Sequence, residues 1–437
     1  MAKKIKRTQP ARPRTFLVGV ELFNQDNILS VKDSLQELNR LAQTAGLKVV
    51  GWETQKLTHP NPKTFIGSGK VKTIKALSEE FEADVILFDN ELSPRHQREL
   101  EKIFGDNIQV LDRTALILDI FSQHAHTREG SLQVELAQYE YRLPRLTRAW
   151  THLVRQAGGG AGRSGGGGVG LRGPGETQLE ADRRDIGRRI AHLKKELEDV
   201  RAHRQRHRAK RKRSRIPVVA LVGYTNAGKS TLLNSLAASD VYVADKLFAT
   251  LDPTTRRVEL PDETPLLVTD TVGFIQKLPT TLVAAFHATL EEIAEADLLL
   301  HVLDITHQNV HGQAEAVHQT LAEINADHIP ILTALNKIDL LENPGHAREA
   351  LDEFQDAVAI SALQGEGLND LLVAVQEKLF ESYTSLEVQL PYKEGGLISL
   401  FHNQGEVERV EHSSQGVLIQ GRVPGRIVAK FSAYLKQ

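Results

Sequence analysis

Short apolar runs and amphipathic stretches alternate along the chain from Arg14 onward. Phe16–Val20, Leu47–Trp52, Val85–Phe88 and Ile108–Leu111 are too short for helices and read as strands. Between them, Val31–Ala45, Gly69–Phe81 and Ser93–Phe104 place apolar residues three and four apart and read as helices. The alternation predicts a small α/β domain with a mostly parallel sheet over residues 14–127. Residues 1–13 read as a disordered basic tail.

The period then changes. Leu132, Leu136, Tyr139, Leu143, Leu146, Trp150 and Leu153 follow the 4,3 spacing of a heptad seam. Pro144 sits inside that seam and should kink or break the helix. Leu179, Ile186, Ile190, Leu193, Leu197 and Val200 repeat the seam, with Arg183 at the missing position. Thr177 and Glu180 form a capping box for this second helix. From Glu176 to Arg213 it would be roughly 57 Å long. We expect an antiparallel helical hairpin over 128–215. Pro217–Val222, Leu266–Thr269, Ile331–Leu335 and a run ending at Ala359–Leu363 restore the strand pattern, with a helix at Ser230–Leu236. A second, mostly parallel α/β domain is therefore expected over 216–382. Leu397–Leu400, Gly416–Gln420 and Ile427–Phe431 look strand-like, which predicts a small α+β domain over 383–437.

Composition narrows the class. The 437 residues are 41% hydrophobic and 25% charged, an ordinary globular balance. A wholly disordered, collagen-like or disulfide-rich chain is excluded. There is no cysteine, which excludes disulfides, thiolate catalysis and Cys-based metal sites. No apolar run reaches the ~18 residues that span a bilayer. The segment TFLVGVELF is short, carries Glu21 and lacks a signal-peptide cleavage site. A cytoplasmic protein with no membrane partner, acting as a monomer, is expected.

Charge changes the picture more. The net charge of −2 hides a segment, Arg142 to Arg215, with 21 basic and 7 acidic residues. The remaining residues carry 33 basic and 49 acidic side chains. Such a basic segment suits phosphate-rich nucleic acid, and the alternative is a solvated helix surface. Within it, residues 158–175 contain 11 glycines in 18 positions. A glycine run usually marks a flexible linker. At the tip of a helical hairpin it can instead be ordered by a partner. Arg163 and Arg172 in that tip, and Arg204, Arg206 and Arg208 on the second helix, are the candidate RNA contacts. His203 and His207 read as solvated or RNA-facing, not as a metal pair.

The chemistry is concentrated after Ile216. Gly223, Tyr224, Thr225, Asn226, Ala227, Gly228, Lys229 and Ser230 form a complete phosphate loop between a strand and a helix. Backbone N–H groups can face the phosphates, Lys229 adds charge at the β/γ-phosphates, and the Ser230 hydroxyl can bind Mg²⁺. A strand ends in Asp270, Thr271, Val272 and Gly273. Asp270 can hold Mg²⁺ through water, and the Gly273 N–H can meet the γ-phosphate. Another strand ends in Asn336, Lys337, Ile338 and Asp339. The Asp339 carboxylate only accepts hydrogen bonds, so it selects guanine, which offers N1–H and N2–H₂ together. Ser361, Ala362 and Leu363 end a further strand, and the Ala362 N–H can reach guanine O6. Four short motifs in this order, each at a strand end, point to GTP and GDP as ligands. Thr250, Thr254 and Thr255 are all candidates for a switch residue.

These segments resemble the HflX family of ribosome-associated GTPases. The resemblance runs from about Arg14 to the end. It is carried by RLPRLTR at 142–148, GGGGVGLRGPGETQLE at 165–180, GYTNAGKST at 223–231, FATLDPTTR at 248–256 and DTVGF at 270–274. It implies binding to the large ribosomal subunit and its rRNA. It also implies GTP-dependent dissociation of stalled or idle ribosomes, often under stress. Within Phe248, Ala249, Thr250, Leu251 and Asp252, it implies that Thr250 closes on Mg²⁺ and the γ-phosphate. Lys229, Thr250 and Gly273 are then the catalytic candidates.

Phe274 stands where many GTPases place a water-orienting Gln. Hydrolysis is then slow, or another group orients the water. Asn226 resembles the asparagine that binds K⁺ in cation-activated GTPases, and the other reading is a loop-stabilising side chain. Gly67-x-Gly69-Lys70 is too short for a phosphate loop and reads as a turn before a helix.

Overall fold

A computed structural model of the chain describes residues 12–23, 30–146, 178–214, 216–237, 248, 253–276, 293–341, 350–354, 356–380, 383–413 and 416–435. The chain forms two compact units. One holds residues 1–214, 244–253 and 272–291, and the other residues 215–243, 254–271 and 292–437.

In the first unit, β1 (Arg14–Leu22), α1 (Val31–Thr44), β2 (Lys48–Leu57), α2 (Ser68–Glu80), β3 (Val85–Phe88), α3 (Pro94–Phe104) and β4 (Gln109–Asp112) alternate as the hydrophobic pattern predicts. The four strands are parallel, in the order β2-β1-β3-β4. Ser30 and Ser93 cap α1 and α3 through their hydroxyls. One sheet face packs Phe16, Val18, Ile86 and Phe88 against Ile66, Ile74 and Leu100. Each such buried side chain contributes about 1.5–3 kcal/mol. Two helices, α4 (Arg113–His124) and α5 (Arg128–Arg142), follow β4 directly. Asp112 caps α4 and also accepts the Tyr141 hydroxyl at 2.8 Å, tying α5 to the end of β4.

Leu143–Arg145 is a single 3-10 turn, so α5 stops where Pro144 removes a donor. The long basic helix is α6 (Gln178–Ser214). Leu132 and Leu136 of α5 pack with Leu193 and Leu197 of α6, as the heptad seams require. The direction of the pair differs from expectation. Arg189 reaches Glu135 at 2.8 Å, a separation of 54 residues. Lys194 reaches Glu140 at 2.9 Å with the same separation. Equal separations mean that α5 and α6 run parallel here, not antiparallel. A heptad seam has the same spacing in either direction, so it could not decide this. The glycine-rich tip at 158–175, with Arg163 and Arg172, lies outside the described residues. So does the proposed tail, apart from Arg12 and Pro13.

In the second unit, β5 (Val218–Val222), α7 (Lys229–Leu236), β6 (Thr254–Glu259), β7 (Pro265–Asp270), β8 (Leu298–Asp304), α8 (Val310–Glu323), β9 (Ile331–Asn336), β10 (Ala357–Ala359) and α9 (Leu368–Phe380) build a six-stranded sheet. The order is β10-β9-β8-β5-β7-β6, parallel except for β6. This is the α/β phosphate-loop fold that the motifs imply, with β5 in mid-sheet.

The last segment has its own core. β11 (Tyr383–Leu390), β12 (Glu406–Ser413) and β13 (Gly416–Pro424) form an antiparallel sheet, ordered β11-β13-β12. α10 (Gly395–Gln404) and α11 (Gly425–Phe431) cover it, with Phe401 edge-on to Phe431 at 5.3 Å. Leu397–Leu400 and Ile427–Phe431 are thus helical, not strand-like as expected. Apolar runs of four or five residues carry too little period to separate the two. Among the described residues no helix is long and apolar enough to cross a membrane.

Candidate nucleotide site

The phosphate loop leaves the carboxyl end of β5 and enters α7 at Lys229. Two of its glycines are required by geometry. Gly223 has φ +149° and Gly228 φ +101°, in the region that side chains disfavour. A Cβ on Gly223 would lie 2.3 Å from the Val302 carbonyl oxygen, and one on Gly228 2.2 Å from Asn336 Nδ2. Tyr224, Thr225 and Ala227 are buried. Lys229 donates to the carbonyls of Gly223 at 3.1 Å and Tyr224 at 2.9 Å. Burial pulls its pKa down from the usual 10.5 to about 8, partly offset by the nearby Asp270 carboxylate. The Ser230 hydroxyl donates to Asp270 Oδ2 at 2.6 Å. A hydroxyl beside a buried carboxylate is a set of hard oxygen donors, which suits Mg²⁺. Thr271 donates through its hydroxyl to the Leu221 carbonyl at 2.6 Å, which fixes the end of β7 against β5.

The base-recognition segment is braced from several sides. Asn336 Nδ2 donates to the Ala227 carbonyl at 2.8 Å, joining the end of β9 to the phosphate loop. The Ser361 hydroxyl donates to Asp339 Oδ1 at 2.6 Å. Ile338 N–H donates to the Ile360 carbonyl at 3.3 Å, and the Ser235 hydroxyl to the Ala362 carbonyl at 2.5 Å. One expected contact meets a competing bond. The Ala362 N–H donates to Asn336 Oδ1 at 2.9 Å, so in this arrangement it is not open to guanine O6. The Asn336 carboxamide lies in hydrogen-bonding reach of that amide and engages it. Leu363 is 77% exposed beside this loop.

Other predicted residues are placed differently. Asn226 is exposed with φ +63°, and among the described residues its side chain has no hydrogen bond. Phe248 is buried, and its ring meets Phe121 of α4 edge-on at 4.6 Å. Its side chain is therefore engaged in apolar packing within the first unit. Val272, Gly273 and Phe274 belong to that unit too, and the Phe274 ring is buried. Ala249, Thr250, Leu251 and Asp252 lie outside the described residues. Arg204, Arg206 and Arg208 lie on α6. Sequence reasoning missed Ser235, Asp304 and His301. Asp304 accepts from Lys337 Nζ at 2.6 Å. His301 is 1% exposed in mid-β8, with its Nε2 unpartnered among the described residues. Burial first, then the charges of His318 and Lys229, lower its pKa from 6.5 to about 3.

Comparison with known proteins places the chain among GTPases. Three family models match in sequence: GTP-binding GTPase N-terminal at residues 32–122, GTP-binding GTPase Middle Region at 124–211, and 50S ribosome-binding GTPase at 218–337. The GTPase HflX of Caldanaerobacter subterraneus subsp. tengcongensis is 42% identical over 97% of this chain and 94% of its own length. The GTPase HflX of Escherichia coli (strain K12) is 44% identical over 92% of each chain. A crystal structure of a GTP-binding protein from the archaeon Sulfolobus solfataricus with GDP covers 84% of this chain and 99% of its own. It is 25% identical, with a TM-score of 0.42.

Proposed function

The chain belongs to the HflX family of GTPases, and from that premise we propose that it docks on the large ribosomal subunit and dissociates stalled or idle ribosomes, under stress among other conditions. The protein is a GTPase that binds GTP and GDP. In our reading Lys229 and the loop amides hold the phosphates, and Ser230 and Asp270 hold Mg²⁺ with Thr250. Asn336, Lys337, Asp339 and Ser361 hold the base. Mg²⁺ supplies charge neutralisation at the β/γ-phosphates when bound. The protein acts in the cytoplasm as a monomer.

The observation that carries the ribosomal reading is the sequence match of residues 218–337 to a 50S ribosome-binding GTPase, joined in one chain to a strongly basic arm. Arginines and lysines on the arm neutralise rRNA phosphates, and Arg163 and Arg172 enter a specific site on the subunit. GTP holds the docking-competent state. Phe274 has no group to orient water, so turnover by the free protein is slow and rises on the subunit, where the Thr250 segment is ordered. In this reading Asn226, exposed and with no side-chain hydrogen bond among the described residues, accepts K⁺ as an additional ligand of the phosphate site.

The test is co-sedimentation with separated ribosomal subunits, with GDP or a non-hydrolysable GTP analogue, followed by light scattering of 70S particles. Retention on the large subunit with the analogue only, and GTP-dependent loss of scattering, is the expected result. Binding to tRNA alone, or binding indifferent to nucleotide, overturns the proposal. Replacing residues 158–173 by a short turn should spare GTP binding and abolish splitting. Full splitting by that variant reduces the glycine segment to a linker.

A further inference from the structure

Lys337, the second residue of the base-recognition segment, is the point where that segment is most constrained. Its φ is +72°, a left-handed conformation that a non-glycine residue keeps only where its surroundings hold it. The backbone on both sides is held. Ile305 N–H donates to the Asn336 carbonyl at 3.1 Å, and Leu340 N–H to the Lys337 carbonyl at 3.0 Å. The side chain is held by another strand. Asp304, the last residue of β8, is the register partner of Asn336 on β9. Its Oδ2 accepts from Lys337 Nζ at 2.6 Å. Its Oδ1 accepts from the Thr306 hydroxyl at 2.6 Å and the Thr306 N–H at 3.1 Å. The carboxylate therefore cannot turn away without losing both bonds to Thr306. The pair is mostly buried, with side-chain exposures of 24% for Lys337 and 17% for Asp304.

We propose that Asp304 is a positioning residue for guanine-nucleotide binding, acting through Lys337. The inference rests on the assignment of Asn336–Asp339 as the base site. A lysine has four rotatable side-chain bonds, and fixing them on binding costs roughly 1.5–2 kcal/mol. Asp304 fixes the far end beforehand, so the methylene stem is already extended beside the base-binding carboxylate when nucleotide arrives. It also keeps the left-handed turn that carries Asp339 in place. Asp304 makes no choice between bases, since that choice belongs to Asp339. It raises affinity for every ligand whose base sits there, diphosphate and triphosphate alike.

Asp304→Asn keeps an acceptor for Thr306 and removes only the charge that holds Lys337. With full-length protein and fluorescent GDP and GTP analogues, this variant should bind both about tenfold more weakly. The ratio of GDP to GTP affinity and the ratio of GDP to XDP affinity should stay unchanged. In steady-state hydrolysis KM should rise while kcat at saturation stays at the parent value. In a Lys337→Ala background, Asp304→Asn should add nothing further. Binding within about twofold of the parent overturns the proposal. So does an equal loss in the Lys337→Ala background, or a fall in kcat with a lowered melting temperature, which marks a merely structural role. Asp339→Asn is measured alongside. If it leaves guanine preferred over xanthine, the base-site assignment itself is wrong, a failure distinct from an inert Asp304.

Discussion

Replacing Asp339 by Asn turns one acceptor at the base into a donor, and the bonds around Ser361 favour one orientation of the new amide. The Ser361 hydroxyl accepts the Gln364 N–H at 3.1 Å and lies 2.6 Å from Asp339 Oδ1. One of its two lone pairs is taken by that N–H and its single hydrogen already points at residue 339, which favours an oxygen there. In the variant that hydrogen meets Asn Oδ1, so Nδ2 takes the outer place where the carboxylate accepted from the base. Guanine then loses two charge-assisted hydrogen bonds, from N1–H and N2–H₂, each about 1.5–3 kcal/mol. The sum corresponds to a loss of roughly two to four orders of magnitude in affinity. Xanthine carries a carbonyl in place of the exocyclic amine and accepts from Nδ2, so XDP and XTP should become the preferred ligands. Competition of each nucleotide against a fluorescent diphosphate analogue, with full-length protein, measures the switch. Adding Ser361→Ala should erode the xanthine preference, because the amide is then free to turn. A single variant that still prefers GTP over XTP would refute the assignment of Asp339. A double variant that keeps the full switch would refute the orienting role of Ser361.

Two buried basic side chains make pH-dependent predictions. Lys229 has a pKa of about 8 in the free protein, lowered by burial, and phosphate binding favours its charged form. Nucleotide affinity should therefore be full below pH 8 and fall above it, by up to about tenfold per pH unit. A flat affinity between pH 7 and pH 9 would show that the amine stays charged throughout. His301 has a folded pKa of about 3 against 6.5 for the free side chain. The folded state holds it neutral, so its contribution to stability is present above pH 6.5 and lost as pH falls towards 3. At pH 5.5 the loss should be about 1.4 kcal/mol. Urea unfolding at pH 7.0 and 5.5 checks this, comparing the parent with His301→Asn. An equal pH effect in both proteins would remove His301 from the account.

What could be read before the structure, and what could not, divides along one physical line. The phosphate loop was legible because its constraints are local: Gly223 and Gly228 need conformations and clearances that only glycine meets, and Lys229 and Ser230 follow at fixed spacing. The helix stop at Pro144 is local in the same sense. The short apolar run at Leu397–Leu400 was not legible, because its helix is decided by packing on a sheet that the run itself does not encode. Nor was the parallel course of α5 and α6, since a heptad seam reads alike in both directions until Arg189 and Lys194 choose their partners. The base site shows the division within one cluster. Asn336 and Asp339 stand out by spacing, but the bond from the Ala362 amide to Asn336 and the bond from Lys337 to Asp304 exist only because register sets β8, β9 and the loop after β10 side by side. Asp304 is an unremarkable acid after an apolar strand until Asn336 becomes its neighbour. The residues that touch a ligand are repeated as motifs because the ligand is fixed. The residues that hold them are set by the sheet, and there the next determinants of affinity lie.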